Sequence, residues 1–181
     1  MRAYDLIRSR RSIHDFEAVP IAAEVVERCL EAATYAPNLG LTQPWRFTVL
    51  REGAKARLAG AVAAFGAVHA PAPGCAAAGP LRAADVAVAV GQVADPDLGI
   101  RATDRLAVAA SIENLLLCAW DEGVGGLWIG GPVLEDADVR GAAGAVAGCD
   151  LVALLALGYP EAVPPLPRRR TAAEVIRWVR E

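Results

Sequence analysis

At 181 residues, with 55% apolar side chains and a formal net charge of −3, the chain has the size of one domain, residues 1–181, able to bury a real core. So even a charge balance offers no concentrated positive face for nucleic acid or an anionic membrane, and the longest purely apolar run, Leu151 to Leu157, is too short to cross a bilayer. Two histidines and four scattered cysteines, Cys29, Cys75, Cys118 and Cys149, form no C-x-x-C pair, so no metal site or redox dithiol is expected and the thiols read as buried.

Ala3 to Ser9 reads as a short opening helix that delivers the run Arg10-Arg11-Ser12-Ile13-His14-Asp15-Phe16. Two guanidiniums and a hydroxyl within three residues suit a phosphate dianion, which takes forked donors plus one neutral donor. The other reading is that Arg8, Arg10 and Arg11 solvate a helix end. Ala22 to Tyr35 is a longer amphipathic helix with Val25, Val26, Cys29, Leu30 and Ala33 on one face. In the run from Ala36 to Trp45, Pro37, Gly40 and Pro44 stop both helix and strand. The result is a loop held between rigid elements, with Asn38 and Gln43 as its polar members. Such loops carry ligand contacts, and ordinary turn chemistry accounts for Asn38 equally well.

Trp45 to Arg51 reads as a strand, Ala54 to Phe65 as a helix, and Pro71 to Pro80 as a mobile Ala/Gly/Pro loop of little packing potential. Ala84 to Val93 is a β-branched strand closed by Asp95-Pro96-Asp97, and Asp104 to Glu122 is the longest helical pattern, ended by Gly123. That helix is apolar almost all round except for a stripe of Ser111, Asn114, Cys118 and Asp121. A cylinder of this kind suits burial between its own sheet and a second subunit, which predicts a homodimer.

Leu127 to Gly130 reads as a strand, after which Gly130-Gly131 either opens backbone N–H groups to a flat ligand or simply turns the chain before Pro132. A helix over Glu135 to Ala145 and a buried strand over Leu151 to Gly158 follow. Pro164-Pro165-Leu166-Pro167 is a stiff lead into Arg168-Arg169-Arg170, which either completes an anion site or solvates the entry to a last helix from about Ala172. Alternating helices and strands without repeats give an α+β sandwich. The glycine clusters neither follow a strand into a helix nor end in Gly-Lys-Ser/Thr, and no G-x-S-x-G surrounds a serine, so dinucleotide fold, triphosphate loop and serine hydrolase are set aside. The charged opening lacks a signal-peptide pattern, and a cytoplasmic location is expected.

Taken in order, Arg-Arg-Ser-Ile-x-x-Phe, the Ala-Pro-x-x-x-x-x-Gln-Pro-Trp loop, Ile112-Glu113-Asn114-Leu115-Leu116-Leu117, Gly125-Gly126-Leu127-Trp128-Ile129-Gly130 and Leu157-Gly158-Tyr159-Pro160 resemble the nitroreductase family over nearly the whole chain. The resemblance implies intertwined α+β subunits, each with a central, mostly antiparallel sheet flanked by helices, and FMN in two sites at the dimer interface. It implies ping-pong transfer of hydride from NAD(P)H through flavin to an electron-poor acceptor such as a nitroaromatic, a quinone or a biosynthetic intermediate, with no catalytic side chain named. By position, Arg10, Arg11 and Ser12 hold the phosphate and ribityl chain, with Arg169 and Arg168 reaching the phosphate from the far end of the sequence. Trp128, Ile129, Gly130 and Gly131 face the ring, while Tyr35, Pro37, Asn38 and Leu39 approach it from the partner, with Gln43 a further candidate.

Two positions depart from the family pattern. His14 stands where a basic residue is usual, and Leu41 where an asparagine is often found. A histidine beside the reduced ring supplies positive charge only when protonated, so reduction is expected to depend on pH more than Lys or Arg would make it. Leu41 leaves one polar contact unmade. Two alternatives stay open: a flavin-binding dimer with little turnover, and a relative that fragments flavin with oxygen.

Overall fold

Apolar strands without polar alternation require cover on both faces, and the fold supplies it. The computed structural model describes residues 2–69 and 74–180. In chain order the elements are α1 (Ala3–Ser9), α2 (Ala23–Thr34), β1 (Trp45–Leu50), α3 (Glu52–His69), α4 (Ala78–Ala83), β2 (Val86–Val93), α5 (Leu98–Asp121), β3 (Gly125–Ile129), α6 (Ala137–Ala142), β4 (Cys149–Gly158) and α7 (Ala172–Val175). The strands form one four-stranded sheet in the order β1-β2-β4-β3, antiparallel at every pairing.

Strand side chains alternate between two cores. Ala87 and Ala89 of β2 and Leu154 and Ala156 of β4 face a cluster built with α3, α4 and α6. Val86, Val88, Val90, Leu155 and Leu157 face a second cluster built with α2 and α5. The α2 stripe behaves as its spacing requires, with Val26, Cys29 and Ala33 buried. Most of the α5 stripe points the same way, Asp121 alone being exposed: Ser111 Oγ donates to Val108 O at 2.8 Å, and Asn114 Nδ2 donates to Ala32 O of α2 at 3.4 Å. Burial above all, with Cys118 beside it, pushes the Cys29 thiol up to about 12, so it stays neutral and unreactive near pH 7.

The structure corrects several expectations. The segment read as an unpacked loop before Pro80 is, from Cys75 onward, a 3₁₀ turn (Cys75–Ala77) and α4, with Ala78 and Leu81 buried; Pro71 to Pro73 lie outside the described residues. Alanine favours helix, and a proline in the first turn has no intrahelical N–H to lose. The long helix α5 begins at Leu98 rather than Asp104, because Asp97 caps it by accepting from Gly99 N at 2.7 Å and Ile100 N at 3.1 Å. Asp97→Ala is expected to lower stability by about 1 kcal/mol, read as a reduced midpoint in urea unfolding. α3 runs on to His69, while α6 covers only Ala137–Ala142 because Asp136 caps it after a 3₁₀ turn over Pro132–Glu135. The last helix is a single turn, Ala172–Val175, with all its residues exposed. So short a helix gains little without a core beneath it.

Candidate functional site

The opening run is placed by two apolar anchors. Ile13 and Phe16 are 1% and 4% exposed, which turns Ser12 and His14, their neighbours on the extended segment, outward. Ser12 forms a parallel bridge to Gly126, Ile13 N donates to Gly126 O at 3.1 Å, and Glu17 N donates to Tyr159 O at 2.8 Å. The segment therefore lies along the open edge of β3. Close approach requires glycine there: a Cβ on Gly125 would meet Ile13 Cγ1 at 2.6 Å and Pro160 Cγ at 3.0 Å. α5 holds the preceding helix through Trp120 Nε1, which donates to Ser9 Oγ at 3.0 Å.

Beside this segment opens a cavity of about 1020 Å³ lined by Tyr4, Ile7, Arg8, Arg10, Arg11, Ser12 and Glu113 from one side and by residues 164–169 and Thr171 from the other. Chain ends more than 150 residues apart thus meet, bringing Arg10, Arg11 and Ser12 to Arg168 and Arg169. Five guanidiniums surround one carboxylate, Glu113, whose Oε1 lies 3.3 Å from Arg10 Nε. Arg11 differs from its neighbours: its Nη1 donates at 2.8 Å to the carbonyls of Arg8, Ser9 and Arg10, closing the end of α1, and its Nε is buried without a partner. The capping box of Thr171 and Glu174 shapes the far wall, and the Thr171 backbone N–H, then its hydroxyl, hold the Glu174 carboxyl below its ordinary value.

A second cavity of about 260 Å³ is lined by His14, Gly74, Ala76, Ala77, Pro80, Leu127, Trp128, Ile129 and Gly130. Its walls are mostly apolar, with the half-exposed Trp128 ring and the His14 imidazole as the polar-edged members. Gly131 has φ +99° and turns the chain into the 3₁₀ segment, beyond this lining.

Tyr35, Pro37, Asn38, Leu39 and Gln43 line neither cavity. They form a separate exposed corner, with Tyr35, Leu39 and Leu41 at 77%, 73% and 76% exposure. Asn38 is engaged inside the loop: its Nδ2 donates to Ala36 O at 3.1 Å and its Oδ1 accepts from Gln43 N at 3.0 Å. Leu41 and Gln43 have φ of 55° and 45°, a region bulky side chains rarely adopt. Buried Asp104 pins this corner by accepting from Thr42 Oγ1 at 2.7 Å.

Sequence reasoning assigned no role to Glu113, although an acid in the midst of Ile112 and Leu115 on an apolar helix was a signal. No group of three or more His, Cys, Asp or Glu among the described residues is placed to hold a metal ion, and no described helix is long and apolar enough to cross a membrane.

The nitroreductase family model matches residues 7–159. A Bacillus subtilis protein, YfhC, whose name places it among NAD(P)H nitroreductases, is 34% identical over 175 residues, covering 91% of this chain and 88% of that protein. A 5,6-dimethylbenzimidazole synthase of Rhodospirillum rubrum is 30% identical over 183 residues, covering 90% and 83% respectively. A Desulfovibrio desulfuricans protein assigned to the nitroreductases and solved in complex with FMN superimposes with a TM-score of 0.78 at 26% identity, covering 100% of this chain and 98% of that one.

Proposed function

The chain belongs to the nitroreductase family, and from that premise we propose that it is a homodimeric, FMN-dependent oxidoreductase acting between NAD(P)H and a small electron-poor acceptor. The observation that carries this reading is the meeting of Arg10 and Ser12 with Arg168 and Arg169 around one cavity, while His14, two residues beyond Ser12, lines a second, mostly apolar one. A phosphomonoester joined to a flat ring fits that donor set. Guanidinium forks and a hydroxyl suit the phosphate, and apolar walls with the side-chain-free Gly130 among them suit the ring.

When bound there, FMN would supply the hydride-transfer chemistry between NAD(P)H and a nitroaromatic, a quinone or a biosynthetic intermediate, in alternating half-reactions. The chain's own residues bind and orient. Arg10, Ser12, Arg168 and Arg169 would hold the phosphate, with Arg11 fixing the end of α1 from which Arg10 projects. Trp128, Ile129 and Gly130 would face the ring, with Gly131 turning the chain just beyond them and His14 at the ring's edge. Tyr35, Pro37, Asn38, Leu39 and Gln43 would serve the site of a second copy, and the exposure of their corner supports that assignment. The C-terminal arm supports a dimer too, since Ile176, Trp178 and Val179 are 49%, 76% and 81% exposed and apolar side chains strung along an arm call for cover. A cytoplasmic location belongs to the same proposal, in keeping with free thiols at Cys29, Cys118 and Cys149.

The test is an absorbance spectrum of the purified protein followed by anaerobic titration with NADH and NADPH. A yellow protein whose flavin band bleaches with about one equivalent of nicotinamide per site is expected; a colourless protein that takes up no added FMN would refute the proposal. The likeness to the benzimidazole synthase favours a second reading, in which the reduced flavin is itself consumed with oxygen. Mass spectrometry of the flavin after aerobic turnover separates the two.

A further inference from the structure

The larger cavity contains a feature that a simple anion site does not need. Glu113 is the sole acid in its lining, and it stands against Arg10 with 3.3 Å between Oε1 and Nε. The other guanidiniums there are differently placed. Among the described residues, Arg8, Arg168 and Arg169 are in no ion pair, and Arg11 turns Nη1 to backbone carbonyls. Arg10 is also well covered, its side chain 21% exposed against 42% for Glu113. Half-buried Arg10 is thus already charge-paired, whereas the exposed Arg8, Arg168 and Arg169 are not.

We infer that Glu113 is an internal competitor for the phosphate of the flavin nucleotide, resting on the functional reading above: it neutralises Arg10 while the cavity is empty and opposes the incoming dianion. Two physical consequences follow. A phosphate that takes Arg10 must either displace the carboxylate or share the guanidinium with it, and either route costs affinity through like-charge repulsion at short range. A ligand without a phosphate leaves the pair intact. Glu113 therefore sets the discrimination between phosphorylated and unphosphorylated flavin, and it restrains a cluster of arginines from holding any phosphate that diffuses in. The flavin is held as an exchangeable ligand.

The test is equilibrium binding to the full-length protein, by quenching of flavin fluorescence, of FMN and of riboflavin to wild type, Glu113→Gln and Glu113→Ala. Both substitutions are expected to tighten FMN about three- to tenfold, the scale of removing one partly screened charge beside a dianion, while riboflavin changes by less than about twofold. Inorganic phosphate, followed by its competition with FMN, is expected to strengthen in parallel. If both variants bind FMN as wild type does or more weakly, with riboflavin unchanged, Glu113 merely orients Arg10 and the inference is overturned. If wild type binds neither flavin, the functional reading fails and the inference falls with it.

Discussion

Arg10→Ala is expected to yield a protein that purifies without flavin and binds added FMN about 30- to 150-fold more weakly, a loss of roughly 2–3 kcal/mol. Arg10 lies at the end of α1 in the wall of the larger cavity, its side chain 21% exposed, with Ser12 beside it and the Arg168–Arg169 pair across the same space. A charge-assisted contact in such shelter is screened less than one in open water. Arg169→Ala acts in the same direction with a smaller effect, since its side chain lies on an exposed arm and solvent dilutes what it contributes. Fluorescence titration measures both. Retention of wild-type flavin content by Arg10→Ala would remove this arginine from the phosphate site.

Gly125→Ala is expected to destabilise the fold by about 2–3 kcal/mol and to weaken FMN binding as well. The added Cβ would meet Ile13 at 2.6 Å from Cγ1 and 3.0 Å from Cβ, and Pro160 at 3.0 Å from Cγ. Neither neighbour yields cheaply, because one contact is the stiff branch point of a buried isoleucine and the other a proline ring. Relief comes only by lifting the 11–16 segment from β3, which moves Ser12 and His14 with it. Gly60→Ala is the control: Gly60 lies in α3 with nothing within 4 Å of a Cβ, and alanine there is expected to be neutral or to stabilise by up to about 1 kcal/mol. Urea unfolding of both variants reads the difference. Equal stabilities would show that the N-terminal segment is not clamped as described.

Particular residues show where sequence reading succeeds and where it stops. α1 was legible to its last residue, and the end of α5 was legible from Gly123, whose φ of +78° fits the turn beyond a helix. Asp97 was read only as the close of a strand, although its side chain caps α5; an aspartate serves both purposes, and composition cannot choose between them. The alanine-rich stretch Cys75 to Pro80 reads as loop by sequence because it shows no periodicity when most of its side chains are small, and the structure makes it a 3₁₀ turn and the start of α4. At the site, Arg10, Arg11, Ser12, Arg168 and Arg169, one cluster by family resemblance, do share one cavity. The pairing of Arg10 with Glu113, residues 103 apart in the chain, and the turning of Arg11 onto its own helix were invisible.

By itself the sequence determined most of the helices and all four strands, α4 excepted, together with which faces are apolar and which short runs carry guanidinium, hydroxyl and glycine. Those properties depend on neighbours within a few residues, where the periods of helix and strand and the chemistry of caps operate. Only the tertiary structure decided that β4 lies between β2 and β3, that the two ends of the chain enclose one cavity, and that a carboxylate from α5 stands inside it. Contacts of that range are chosen by how whole apolar faces are buried together, and a local pattern cannot specify which distant face will be the partner.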